Sequence, residues 1–265
     1  YKLVTGVQTC ALPIYMLNIK NDEHHRKVCH LAVKMLNEMI DRQEYFDIAA
    51  ENFTKNRRSL GIGITNLAGW LAHKGMNHDS PEAPNAIDEF MEKQQYYLME
   101  ASVELAKKKG PAPFWERSKY AQGYSKLDLY KKEIDAFITR KPVMDWNKLN
   151  EDIAKYGMYN MTLSATPPCE KSSQLQNSTN GCEPIVALFQ FKDDREGATA
   201  WIAPGIKKYG KYYKSAYDCS NEGIIKCMAA VTKWLDMGAS TNHYYNYGNY
   251  ENGKLDMLDV MNDLL

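Results

Sequence analysis

Apolar residues return at every third or fourth position through Val28, Leu31, Ala32, Met35, Leu36, Met39 and Ile40. This spacing predicts a one-faced helix over 21–42, with Asp22 and Glu23 near the end where the helix dipole favours acids. The pattern then shortens. Leu60, Gly61, Ile62, Gly63 and Ile64 form the compact apolar run of a buried strand, and 66–74 returns to helical spacing until Gly75 stops it. A longer helix is expected over 85–109, ending at Gly110 before Pro111, followed by helices over 127–139 and 146–156. Residues 158–166 alternate like a strand that Pro167 and Pro168 break, 177–181 carry turn chemistry, and 185–191 read as the next strand. A helix over 221–237, a strand-like 240–245 and a final helix from Leu255 complete the alternation. That order predicts an α/β fold with mainly parallel pairing.

Composition narrows the partners. The 33 basic and 33 acidic residues cancel and form no block of one sign, so the footprint expected of a nucleic-acid or anionic-membrane binder is missing. No run approaches the roughly 18 apolar residues of a membrane span. The six cysteines show no CxxC spacing, which argues against a zinc site or disulfide scaffold and fits a reducing cytoplasm. Residues 1–14 read differently from the rest: Val4 to Ile14 match, residue by residue, the translation of a common sequencing-adapter string. The expectation is that 1–14 are not native, Cys10 included, and that 15–265 form one piece of a larger catalytic domain.

The densest motif runs from Trp146 through Leu149, the run Gly157, Met158, Tyr159 and Asn160, then Ser164 and Ala165, to Pro168. With Arg57 to Gly63 upstream, and Ser172, Ser173, Gln174 and Asn180 to Pro184 downstream, it resembles the signature of the class I ribonucleotide reductase large subunit. The resemblance covers essentially all of 15–265. It implies the C-terminal part of a ten-stranded α/β barrel, incomplete here, from an oxidoreductase that reduces ribonucleoside diphosphates by thiyl-radical chemistry. It also implies a small radical-generating subunit that holds the metal-radical cofactor, thioredoxin or glutaredoxin as reductant, a homodimer, and ATP or dNTP effector sites elsewhere. The Asn-x-Cys-x-Glu segment around the radical cysteine is absent, so no catalytic residue is expected in this chain and no cofactor is expected to bind it.

The candidate site is the turn Pro168, Cys169, Glu170, Lys171 and Ser172. A strand that breaks at proline and turns into serines can present unpaired backbone N–H groups and hydroxyls to an anion. By itself such a turn is more often a capped turn without a ligand; the resemblance makes it the loop that holds the substrate's phosphates. Cys169 and Lys171 stand where small hydroxyl residues are frequent in the family. Read without the resemblance, the segment also suits a non-catalytic phosphate-binding or structural domain. Three other groups invite chemistry and have plainer readings. His25 and Cys29 share a helix face as metal ligands would, Cys169 and Cys182 could be imagined as a redox pair, and Tyr244, Tyr245, Tyr247 and Tyr250 invite comparison with conducting tyrosines. A solvated histidine beside a part-buried cysteine, core thiols and packing aromatics are the expectations for these, as for Cys219 and Cys227.

Overall fold

The computed structural model describes residues 11–167, 169–194, 197–246, 248, 258 and 260. They divide into two compact units, the first drawn from those within 11–64, 85–167 and 230–239, the second from those within 65–84, 169–229 and 240–260. Mixed helix and strand is as expected; among the described residues no closed barrel forms, and the strands make two two-stranded sheets.

In the first unit, α1 (Asp22–Arg42) starts where Asn21 accepts a hydrogen bond from His24 N at 2.8 Å. Its buried stripe is His25, Cys29, Ala32, Val33, Leu36, Asn37 and Ile40. Leu31, Met35 and Met39 fit the apolar spacing of the sequence but are exposed. Then α2 (Ile48–Arg57) forms without an apolar stripe to announce it; it buries no residue and starts from an Asp47 cap. Two strands lie side by side, β1 (Ala11–Tyr15) and β2 (Gly61–Thr65). Residues 1–10 of the expected non-native segment lie outside the described residues, while Ala11 to Ile14 fall within β1.

Residues 158–166 do not form the full strand expected. They meet β2 in one parallel bridge, Ile62 with Ser164, because Leu163 N donates to the Asp236 carboxylate at 2.7 Å rather than to a neighbouring strand. Gly63 allows this approach. A Cβ there would stand 2.2 Å from Ala165 O and 2.4 Å from Pro167 Cδ.

Two helices come next in the chain: α3 (Leu67–His73) belongs to the second unit, and the long α4 (Ala83–Lys109) is the spine of the first. The helix expected over 127–139 is replaced by single 3-10 turns at Lys126–Asp128 and Lys132–Ala136. Ser125 and Asp128 cap the first turn reciprocally, and of 127–139 Ile138 alone is buried, too little to repay a longer helix. Next, α5 (Trp146–Tyr156) has the predicted bounds, capped by Asp145 and ended by Gly157 at φ 67.

The second unit contains α3, α6 (Glu170–Leu175), β3 (Phe189–Asp194), β4 (Gly197–Ile202), α7 (Ile206–Tyr209) and most of α8 (Asn221–Trp234). β3 and β4 pair antiparallel, from Phe189 opposite Ile202 to Asp194 opposite Gly197. This pair departs from the expectation of mainly parallel pairing, while the isolated bridges Ile62 with Ser164 and Ile185 with Ser215 are parallel: two strands so close in the chain as β3 and β4 can pair only by folding back, since a parallel pair needs a long crossover. Ala68, Ile185, Trp201 and Ala203 form a small core with Tyr213 against it. Residues 240–245 are not a strand but are held by side chains: Asn242 N donates to Glu183 Oε1 at 3.0 Å and Tyr244 N to Asn221 Oδ1 at 3.0 Å. Of the expected final helix, only Leu258 and Val260 lie within the described residues, and both are helical.

Candidate phosphate-binding turn

The turn rests on a clamp built around Thr179. Thr179 N donates to Asn66 Oδ1 at 2.8 Å, Asn66 N donates back to Thr179 O at 3.1 Å, and the Thr65 hydroxyl donates to the same carbonyl at 3.2 Å. The Thr179 hydroxyl in turn accepts from Gly69 N at 3.4 Å, near the start of α3. Asn66 takes the left-handed conformation, φ 71, that asparagine tolerates better than most residues. A Cβ at Gly69 would stand 2.3 Å from Asn66 Oδ1, so the clamp needs glycine there. A second stitch joins Ser178 to Ser173, backbone to backbone at 2.9 Å and hydroxyl to carbonyl at 3.1 Å.

Of the five candidate residues, Pro168 lies outside the described residues. Cys169 is the buried residue that immediately precedes α6, and it gives the helix no side-chain cap. The first-turn amides of Glu170, Lys171 and Ser172 have no partner within the helix by its geometry, and no side chain among the described residues claims them. Glu170 and Lys171 are exposed. The Ser172 hydroxyl donates to Cys169 O at 3.2 Å, so it serves a ligand only by giving up a bond within its own turn. Burial pushes the Cys169 thiol up, against the pull of the Thr65 hydroxyl and the Gly181 backbone, and burial pushes Cys182 up to about 12. Neither offers a thiolate near neutral pH. The turn is therefore a backbone donor site beside one exposed cation. Sequence reasoning misses Thr65, Asn66 and Gly69; a Thr-Asn pair closing an apolar strand, followed by a helix, is the available signal.

The signature residues do other work. Trp146 Nε1 donates to Glu92 at 3.0 Å and its ring stacks on Trp234 with centroids 5.4 Å apart. Buried Asn160 accepts from Asn37 and the Ser102 hydroxyl, at 3.2 and 3.0 Å, and donates to Asn37 Oδ1 and Arg58 O, at 3.0 and 2.7 Å. The Ser164 hydroxyl accepts from Asp236 N at 2.9 Å. These bonds fix the first unit.

His25 is buried against Phe90 and Tyr97, with ring centroids 4.5 and 5.6 Å away, and Cys29 is fully buried, which corrects the expectation of a solvated histidine. His30, Glu100 and Glu104 bring three potential ligand atoms within 4.8 Å of one another, but Arg26 already binds both carboxylates, at 2.6 and 3.1 Å. Tyr244 donates to Glu183 at 2.9 Å and packs edge-on against Tyr217; Tyr247 and Tyr250 lie outside the described residues.

Known proteins place these features in one family. The family model of the ribonucleotide reductase barrel domain matches residues 9–265. The ribonucleoside-diphosphate reductase subunit alpha of Buchnera aphidicola subsp. Acyrthosiphon pisum is 36% identical over 261 residues, covering 98% of this chain and 34% of that protein. The subunit alpha of Enterobacteria phage T4 is 35% identical over 262 residues, covering 97% of this chain and 34% of that protein. For subunit alpha of reductase 1 of Escherichia coli K12 the identity is 34% over 227 residues, 85% of this chain and 30% of that protein. The chain thus spans about a third of the length of these curated relatives. With a match that runs through both units and takes in both the Trp146 to Pro168 signature and the Thr179 clamp, the chain belongs to the ribonucleotide reductase barrel-domain family.

Proposed function

We propose that this chain supplies the substrate-phosphate turn of a ribonucleoside-diphosphate reductase large subunit, an oxidoreductase that converts ribonucleoside diphosphates to deoxyribonucleoside diphosphates. The observation that carries the reading is the uncapped first turn of α6, set on the Thr65, Asn66 and Thr179 clamp in a chain of this family. The amides of Glu170 to Ser172 and the Ser172 hydroxyl, released from Cys169 O, hold the diphosphate and Lys171 adds a screened Coulomb attraction, so the ribose is presented in one orientation to groups supplied elsewhere in the protein. The five described cysteines are buried, and burial raises the pKa of each thiol, which fits structural thiols better than redox ones. By itself the chain is inactive in this reading. Residues 15–265 form an incomplete part of the barrel, residues 1–14 are not native, and the whole protein works in the cytoplasm as a homodimer with a small radical-generating subunit. That subunit holds the metal-radical cofactor, thioredoxin or glutaredoxin returns the electrons, and ATP or dNTP effectors bind elsewhere.

The test uses a polypeptide completed with the remaining two thirds of a relative, so that turnover is measurable. Ser172→Ala removes one charge-assisted hydrogen bond, about 1.5–3 kcal/mol, which is roughly a tenfold to hundredfold loss in kcat/KM. Lys171→Ala weakens substrate binding and flattens its salt dependence. Cys169→Ser is mild. Normal kinetics for the first two with a severe loss for Cys169→Ser would overturn the phosphate reading in favour of a cysteine-based role.

A further inference from the structure

The first unit contains a pocket of about 390 Å³ whose lining is strongly basic: Arg57, Arg117, Lys119 and Lys126 face it together with Ser118 and Thr162. Its one carboxylate, Asp236, is already committed. It accepts from the Tyr120 hydroxyl at 2.6 Å, Gln95 Nε2 at 3.0 Å and Leu163 N at 2.7 Å, with buried Lys126 at 3.9 Å. The Lys126 ammonium donates to Leu235 O, so this lysine and Asp236 cancel within the wall. Arg57, Arg117 and Lys119 have no carboxylate within ion-pair distance among the described residues.

Two polar atoms of the wall have no hydrogen-bond partner. Arg57 Nε is a buried donor and Thr162 Oγ1 a buried hydroxyl, and neither reaches an acceptor among the described residues. A buried polar atom left unpaired costs about 1–3 kcal/mol, so two in one wall call for an acceptor in the pocket. The cationic side chains are also braced: the Arg57 guanidinium lies 4.7 Å from the Phe53 ring centroid, that of Arg117 4.2 Å from Phe114, and the Lys119 ammonium 5.1 Å from Tyr124. An aromatic face holds a guanidinium plane without using its N–H donors. The pocket thus combines excess positive charge, fixed donors and a volume within the range of small-ligand sites.

We propose that this pocket binds a phosphate-bearing anion, inorganic or carried on a nucleotide, through Arg57, Arg117, Lys119 and the Thr162 hydroxyl. It shares no residue with the α6 turn, and every lining residue belongs to the first unit. The proposal does not rest on the reductase reading.

The test is calorimetric titration with pyrophosphate and with ADP, at matched ionic strength, on the 265-residue chain and on the completed polypeptide. Lys171→Ala in both backgrounds removes the charge of the α6 turn. Saturable binding that persists in Lys171→Ala, falls steeply with added salt, and drops at least tenfold on adding Arg117→Ala with Lys119→Ala supports the site. Both side chains are exposed, so their removal leaves the core intact; a thermal melt checks this, and Arg117→Gln with Lys119→Gln replaces any variant that loses its transition. Equal affinities assign the pocket to free phosphates, and tighter ADP assigns it to a nucleotide. Absence of saturable binding in Lys171→Ala, or an affinity untouched by the double substitution, overturns the proposal.

Discussion

Two buried polar assemblies, one in each unit, are built from similar parts and end in opposite conditions. In the first unit, Asp88 and Glu92 are fully buried on α4 and completely engaged. Arg140 pairs with both, Lys233 reaches Asp88 at 3.1 Å, Trp234 Nε1 donates to Asp88 at 2.7 Å, and Glu92 accepts from Val143 N, Met144 N and Trp146 Nε1. In the second unit, the Thr179 clamp engages its own backbone groups but delivers a helix whose first amides no side chain claims among the described residues. A saturated network holds a fold in place and has nothing left for a ligand. An unsaturated one, rigidly mounted, is what an anion can complete.

The comparison breaks first at its saturated end. Asp88→Ala leaves buried Lys233 with only Asp135, at 3.8 Å, and Arg140 with only Glu92, and the expected cost is about 3 kcal/mol, read as a lower urea midpoint for the 265-residue chain. A loss under about 1 kcal/mol would mean that water or rearrangement relieves the charges, and the network would then not be saturated.

Acid tests the same unit through His25. Burial pushes its pKa down to about 4 from 6.5, so between those values the unfolded chain binds the proton that the folded chain refuses. Stability is whole above about pH 6.5 and falls as the pH drops toward about 4, by up to about 3 kcal/mol. His25→Phe should flatten this part of the stability profile. An unchanged slope would place the acid-sensitive group elsewhere.

Smallest is the effect of Asn66→Ala, which removes the acceptor for Thr179 N and puts alanine at a positive φ; about 1–3 kcal/mol is expected, together with a raised KM in the completed polypeptide. Asn66→Gly keeps the conformation and loses only the acceptor. If the glycine variant behaves as wild type, the clamp is a matter of backbone shape and not of the hydrogen bond.

Legibility follows periodicity. The bounds of α1, α4 and α5 are readable within a few residues because apolar spacing coincides there with a capping residue or a terminating glycine. The helix expected over 127–139 fails because Ile138 alone among its residues reaches a core, and α2 is invisible because its apolar residues gather on no buried face. The antiparallel pairing of β3 and β4 is hidden by an apolar run at 185–191 that reads as buried, whereas Phe189 and Phe191 are exposed. At the candidate site the turn itself is legible and its mounting is not. Contacts such as Asn66 with Thr179 join residues more than a hundred positions apart, and no local spacing encodes them.

The stacked indoles of Trp146 and Trp234 carry an optical consequence. Each ring donates its N–H to a buried carboxylate, Glu92 for one and Asp88 for the other, so the emission of both depends on the same frozen field. When that field collapses both emitters shift together, while Trp70 and Trp201 belong to the second unit. The difference between spectra of the chain and of a Trp146→Phe, Trp234→Phe variant therefore isolates one unit's melting as a change of colour, without any label.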